Sequence, residues 1–200
     1  MRVHFKLPMT ADVAERLLLG AVKAEAELRG RKFVMSEPLR QQARQIAGYL
    51  TSDGPTFGLL LCGSCGNGKT TFVKAFQQLV NALNMRVDDS VERYGMRIVN
   101  ARDLVRICKK DYDQWRELCN SRMLAVDDFG TEPAESTDFG NVVYPLADLL
   151  TTRYDRCLFT ILTTNLAPQE IRAKYGDRIA DRLNEMMGKV IFDNASYRTI

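Results

Sequence analysis

Gly63-Ser64-Cys65-Gly66-Asn67-Gly68-Lys69-Thr70 is the stretch on which the reading of the fold turns. It has the form G-x-x-x-x-G-K-[ST], a loop that cradles the phosphates of a nucleotide. Gly63, Gly66 and Gly68 allow backbone angles closed to other residues, so successive N–H groups can point inward at one anion. A helix is expected to begin at about Lys69, and its N-terminal dipole favours the same phosphates. The Lys69 ammonium is expected to reach the β- and γ-phosphates of ATP, and the Thr70 hydroxyl to ligate Mg²⁺. Ser64, Cys65, Asn67 and Thr71 complete the expected nucleotide-contacting set. The fixed positions of the motif would recur by chance in roughly one chain in a hundred of this length.

The flanks carry the context that the loop requires. Phe57-Gly58-Leu59-Leu60-Leu61-Cys62 reads as a buried strand, and Phe72, Phe76, Leu79, Val80 and Leu83 recur at helical spacing behind the loop. Further along, strands are expected over Met96–Val99, Met123–Asp127, Cys157–Leu162 and Lys189–Phe192. The stretch from Asn84 to Gly95 is polar and reads as a loop. Helices are expected over Ala101–Cys119 (two, or one broken), Gly140–Tyr154, Pro168–Tyr175 and Asp177–Met186. Strands alternating with helices predict an α/β fold, a wound parallel five-stranded sheet flanked by helices.

On the N-terminal side, Thr10 to about Gly30 reads as a helix with the apolar stripe Val13, Leu17, Ala21, Ala24 and Leu28. Ser36-Glu37-Pro38 opens a second helix to about Leu50, and Thr51–Pro55 is a loop. The chain is therefore divided into a helical extension, residues 1–52, and a core, residues 53–200. The extension is a candidate partner-binding segment.

Two hundred residues can bury a core without staples, and 46% hydrophobic with 26% charged is an ordinary globular composition. No run of 18 apolar residues occurs, which argues against a membrane span, and Met1–Pro8 lacks the apolar region of a secretory signal. A cytoplasmic protein is expected. Five scattered cysteines fit reduced thiols. Cys62-Gly63-Ser64-Cys65 is formally C-x-x-C, but the loop already accounts for it. Asn194-Ala195-Ser196 matches a glycosylation sequon that has no meaning without secretion. A net charge of +3 by itself indicates no partner.

Three further clusters point at the loop. Asp127 and Asp128 end the third core strand, where Asp127 is expected to hold Mg²⁺ opposite Thr70 and Asp128 to activate the attacking water. Thr163-Thr164-Asn165 ends the next strand, and in a wound sheet ligands sit at the carboxyl ends of strands. Asn165 is expected to position water near the γ-phosphate. Arg178 and Arg182 lie four apart on one helix face, where either can stabilise charge on a neighbouring subunit's nucleotide or simply pair with Asp181 and Glu185.

Together these residues resemble the AAA+ ATPases and, within them, the DnaC/IstB group. Gly63–Thr70 is similar to Walker A, Leu124–Asp128 to Walker B, Thr163–Asn165 to sensor 1 and Arg178–Arg182 to the arginine-finger box. The tail Val190–Arg198 resembles the end of DnaC-type helicase loaders. The resemblance covers roughly Phe57 to Ile200 and implies no C-terminal helical lid domain, which a chain stopping at Ile200 would not hold. It implies a DNA replication role: an ATPase that assembles with ATP into a homo-oligomer, contacts single-stranded DNA and delivers a replicative helicase. By motif position it favours Arg182 as the finger and gives Arg198 a nucleotide contact.

The group often has Glu at the second Walker B position, where this chain has Asp128. The shorter side chain implies slow hydrolysis, a switch rather than a motor. The alternatives are an IstB-like transposition helper, which differs in its partner, a nucleotide-dependent adaptor that does not hydrolyse, and a P-loop small-molecule kinase, which would need an acceptor pocket and a lid. Tyr112 and Trp115 beside Lys109 and Lys110 form a candidate strand-binding patch, or a helix packing its aromatic face.

Overall fold

The computed structural model describes residues 5–87, 90–138 and 141–197. In chain order the elements are α1 (Ala11–Leu28), α2 (Glu37–Thr51), β1 (Gly58–Gly63), α3 (Lys69–Leu83), β2 (Met96–Asn100), α4 (Ala101–Lys110), α5 (Tyr112–Asn120) and β3 (Met123–Phe129). They continue as β4 (Ser136–Asp138), β5 (Asn141–Val143), α6 (Pro145–Asp155), β6 (Phe159–Thr164), α7 (Pro168–Tyr175), α8 (Asp177–Met186) and β7 (Met187–Phe192). Five strands form one parallel sheet in the order β2-β3-β6-β1-β7. The expected wound α/β architecture is thus the observed one.

The apolar runs read as strands are buried on both faces, with alternate residues feeding opposite layers. Leu59 and Leu61 join a cluster with α1, α2 and α3 on one side. Leu60, Leu124, Val126 and Leu162 join α4 to α8 on the other. The two N-terminal helices therefore share one apolar layer with the phosphate-loop helix.

Several element details differ from expectation. The buried face of α1 is Ala14, Leu18, Val22 and Glu25, one residue round from the expected stripe. Leu17 and Leu28 of that stripe are 41% and 78% exposed. Two apolar stripes were compatible with the sequence; the one that packs includes Glu25, which Arg29 and Gln78 satisfy. Residues 141–143 pair with β4 as a short hairpin, and helix α6 starts at Pro145, because a residue before proline is driven to extended geometry. β6 starts at Phe159, after Cys157 turns the chain with a left-handed φ of 51°.

Arg153 of α6 is completely buried. Its guanidinium donates to the carbonyls of Leu118 (3.2 Å), Ser121 (2.8 Å) and Phe159 (2.6 Å) and to the Thr160 hydroxyl (2.7 Å). Carbonyls at the C-terminal end of α5 carry the negative end of its dipole and so offset the buried cation. Burial lowers the Arg153 pKa to about 9, which leaves it charged at neutral pH. Replacing it with Met strands those carbonyls in an apolar layer. Arg153→Met is expected to lower unfolding free energy by about 3 kcal/mol in urea denaturation. An unchanged midpoint would mean the carbonyls find other donors.

Candidate functional site

At the carboxyl end of β1, Gly63 ends the strand and Gly68 caps α3 with a φ of 101° that a side chain would strain. The loop between them folds around its own lysine. Lys69 Nζ donates to Gly63 O (2.6 Å), Ser64 O (2.7 Å), Asn67 Oδ1 (3.0 Å) and Asn165 Oδ1 (2.8 Å). Burial pushes its pKa down, and Cys65, Asp128, Asp127 and Cys62 act in the opposite sense.

Because β6 lies between β1 and β3, residues at its end stand between the loop and the Asp127-Asp128 pair. Thr70 Oγ1 donates to both Asp127 oxygens, at 3.0 and 3.1 Å, and Thr163 Oγ1 donates to Oδ1 at 2.6 Å. A hydroxyl and one carboxylate facing each other suit Mg²⁺, which takes few protein ligands and completes its shell with phosphate and water oxygens. The β3–β6 ladder is irregular between Val126 and Phe129, and Asp128 there has a left-handed φ of 58°. Bulges of this kind re-aim side chains beside active sites. Asp128 N donates to Thr163 Oγ1 (2.9 Å), and Asn100 Nδ2 donates to Asp128 Oδ2 (3.2 Å). Asn165 Nδ2 also reaches Cys65 Sγ at 3.2 Å.

These groups meet in a cleft of about 620 Å³ lined by residues 65–72, Asp128 and Asn165. Its other wall is the α1–α2 connection, Arg29–Val34, with Val22, Ala26, Leu39 and Tyr197. An apolar and aromatic wall joined to a cationic loop suits a base and its phosphates. Sequence reading missed this wall, although Arg29-Gly30-Arg31-Lys32-Phe33 carries a basic, aromatic turn. It also missed Asn100, whose Oδ1 caps α4 while its amide holds Asp128.

The two arginines of α8 do not line this cleft. Arg182 is tied to α6 through Thr151 Oγ1 (2.6 Å), Asp155 (3.5 Å) and the Tyr154 ring, 4.9 Å from its centroid. Arg178 is exposed and makes no hydrogen bond or ion pair among the described residues. The pairings with Asp181 and Glu185 do not form: Arg172 takes Asp177 and Asp181, and Tyr154 takes Glu185. Arg198 lies outside the described residues. The five cysteines form no disulfide, and among the described residues no His/Cys/Asp/Glu group is built to hold a metal by itself. No described helix is long and apolar enough to cross a membrane.

The strand order and the glycine-rich loop define the class: a wound parallel α/β fold with a loop of P-loop form at the end of β1. Neither a protein-family model nor a curated protein sequence matches the chain. Among solved structures it is similar to the DnaC helicase loader, with a TM-score of 0.61 and 20% identity over 81% of this chain and 94% of that one. It is similar to DnaI, with a TM-score of 0.62 and 18% identity over 84% and 88%. AMPPCP-bound DnaA from Aquifex aeolicus follows, with a TM-score of 0.55 and 18% identity over 81% and 49%. The likeness is one of fold.

Proposed function

We propose that this chain is a Mg²⁺-dependent ATPase that works as a replicative-helicase loader, using ATP as a slow assembly switch. The observation that supports this most is the convergence of Lys69, Thr70, Asp128 and Asn165 on one cleft, with Asp127 bonded behind Thr70. Lys69 and the loop N–H groups hold the phosphates, and Thr70 and Asp127 hold Mg²⁺, which supplies positive charge against the phosphate oxygens. Asp128 accepts a proton from the attacking water, and Asn165 orients the γ-phosphate side of the site. The wall formed by Phe33, Val34 and Tyr197 receives the base.

A cation from a second copy completes the site. Arg178 is the available one, while Arg182 would have to leave α6. Single-stranded DNA is assigned to the α4–α5 turn. There Lys109 and Lys110 are exposed, and Tyr112, 62% exposed, stacks on the half-buried Trp115 at 5.6 Å. The outward face of α1, where Leu17 and Leu28 are exposed, is assigned to the helicase. A cytoplasmic location follows from this role.

Oligomeric state tests the reading. Light scattering with AMPPCP, with ADP, and with either plus single-stranded DNA is expected to show assembly with AMPPCP only, strengthened by DNA. Arg178→Ala is expected to bind AMPPCP and remain monomeric. A monomer in every condition would remove the switch and leave a nucleotide-binding adaptor. Capture of a transposase in place of a helicase would move the chain to an IstB-like role.

A further inference from the structure

The phosphate loop is held from behind by a relay of amide side chains that starts on α2 and passes through the C-terminal segment. Asn67, 1% exposed, donates from Nδ2 to Phe192 O at 2.6 Å and accepts from Lys69 Nζ. Asn194 Nδ2 donates to the Asn67 carbonyl at 3.3 Å. Gln42 Nε2, on α2, donates to Asn194 Oδ1 at 2.8 Å. Tyr197 N donates to Gly66 O at 2.9 Å, and its hydroxyl meets Ser36 Oγ at 3.2 Å. The fit is tight: a Cβ on Gly63 would lie 2.0 Å from Phe192 O.

Gln42 is informative because its burial is unfavourable. It is 2% exposed, and its Oε1 has no partner among the described residues. A buried acceptor without a donor is destabilising, and an apolar side chain of similar size would avoid that cost. What glutamine supplies here, and leucine would not, is the bond that fixes Asn194. The relay matters because the loop must present its N–H groups without rearranging when phosphate arrives.

We infer, on the reading that the cleft binds ATP, that Gln42, Asn194 and Asn67 are positioning residues that set affinity for the phosphates and not for the base. Gln42 and Asn194 touch the loop's concealed side and reach the phosphates only through Asn67, which also lines the cleft and holds Lys69. Asn194→Asp keeps an acceptor for Gln42 but turns a carboxylate oxygen toward the Asn67 carbonyl. Gln42→Leu removes the donor and the orphan acceptor together.

The test is calorimetric binding of AMPPCP and ADP, with AMP by competition, to the full chain and both variants, alongside melting temperatures. Each variant is expected to weaken AMPPCP and ADP about fivefold to tenfold and to leave AMP unchanged. The double variant is expected to be no weaker than the poorer single one, since both act through one chain of bonds. Variants that bind AMPPCP and ADP like the parent overturn the inference and leave the nucleotide reading standing. So does an equal loss for AMP with a lowered melting temperature, which marks a merely structural contact. A parent chain that binds none of the three overturns the nucleotide reading itself.

Discussion

Lys69→Ala is expected to weaken AMPPCP binding at least about 100-fold and to abolish hydrolysis. Lys69 is 6% exposed and its ammonium reaches four acceptors, so it is already stripped of most water when nucleotide arrives. Its exchange of loop carbonyls for phosphate oxygens replaces partial charges with full ones, which is where the binding energy arises. The pH dependence has a definite sign. Burial lowers the Lys69 pKa, and only the charged form attracts phosphate. Affinity is therefore expected to fall with rising pH earlier than an ordinary lysine would allow. Fluorescent-nucleotide titration measures both effects. Full binding by Lys69→Ala would show that the loop does not hold phosphate.

Asp128→Asn is expected to leave AMPPCP affinity within about twofold and to lower the hydrolysis rate by roughly 10²- to 10⁴-fold. The side chain makes no hydrogen bond to a loop residue; it is held by Asn100 and placed by the bulge at Val126–Phe129. Its left-handed backbone costs about 1 kcal/mol or more and persists only because surrounding bonds fix it. Asn preserves shape and tolerates that φ, so the change removes the proton acceptor alone. Asp128→Glu, longer by one methylene, is expected to accelerate hydrolysis if the proposed slow ATPase reading holds. Single-turnover phosphate release separates these outcomes. A normal rate in Asp128→Asn would move the base elsewhere.

The sequence made the candidate site at the carboxyl end of the sheet legible because that end is built locally. The glycines, Lys69 and Thr70 are contiguous, and Asp127, Asp128 and Asn165 each end an apolar run recognisable as a strand. The boundaries that failed were set by competition: Glu25 on the buried face of α1, and Pro145 starting α6 later than its apolar pattern. The arginines of α8 were legible as a pair, but nothing in their spacing tells that Arg182 turns to Tyr154 and Thr151 while Arg178 does not.

By itself the sequence determined a loop of phosphate-binding form, its facing carboxylates and a wound parallel sheet, since each follows from residue type and short-range periodicity. Only the tertiary structure decided the rest. It placed the α1–α2 connection as the opposite wall of the cleft and β6 between the loop strand and the carboxylate strand. It also brought Gln42 within 2.8 Å of Asn194, 152 residues away, and Asn67 within 2.6 Å of Phe192, 125 residues away. The physical reason is that these contacts arise from burial of one apolar layer by helices far apart in the chain. No local pattern records which polar groups that burial will force to meet.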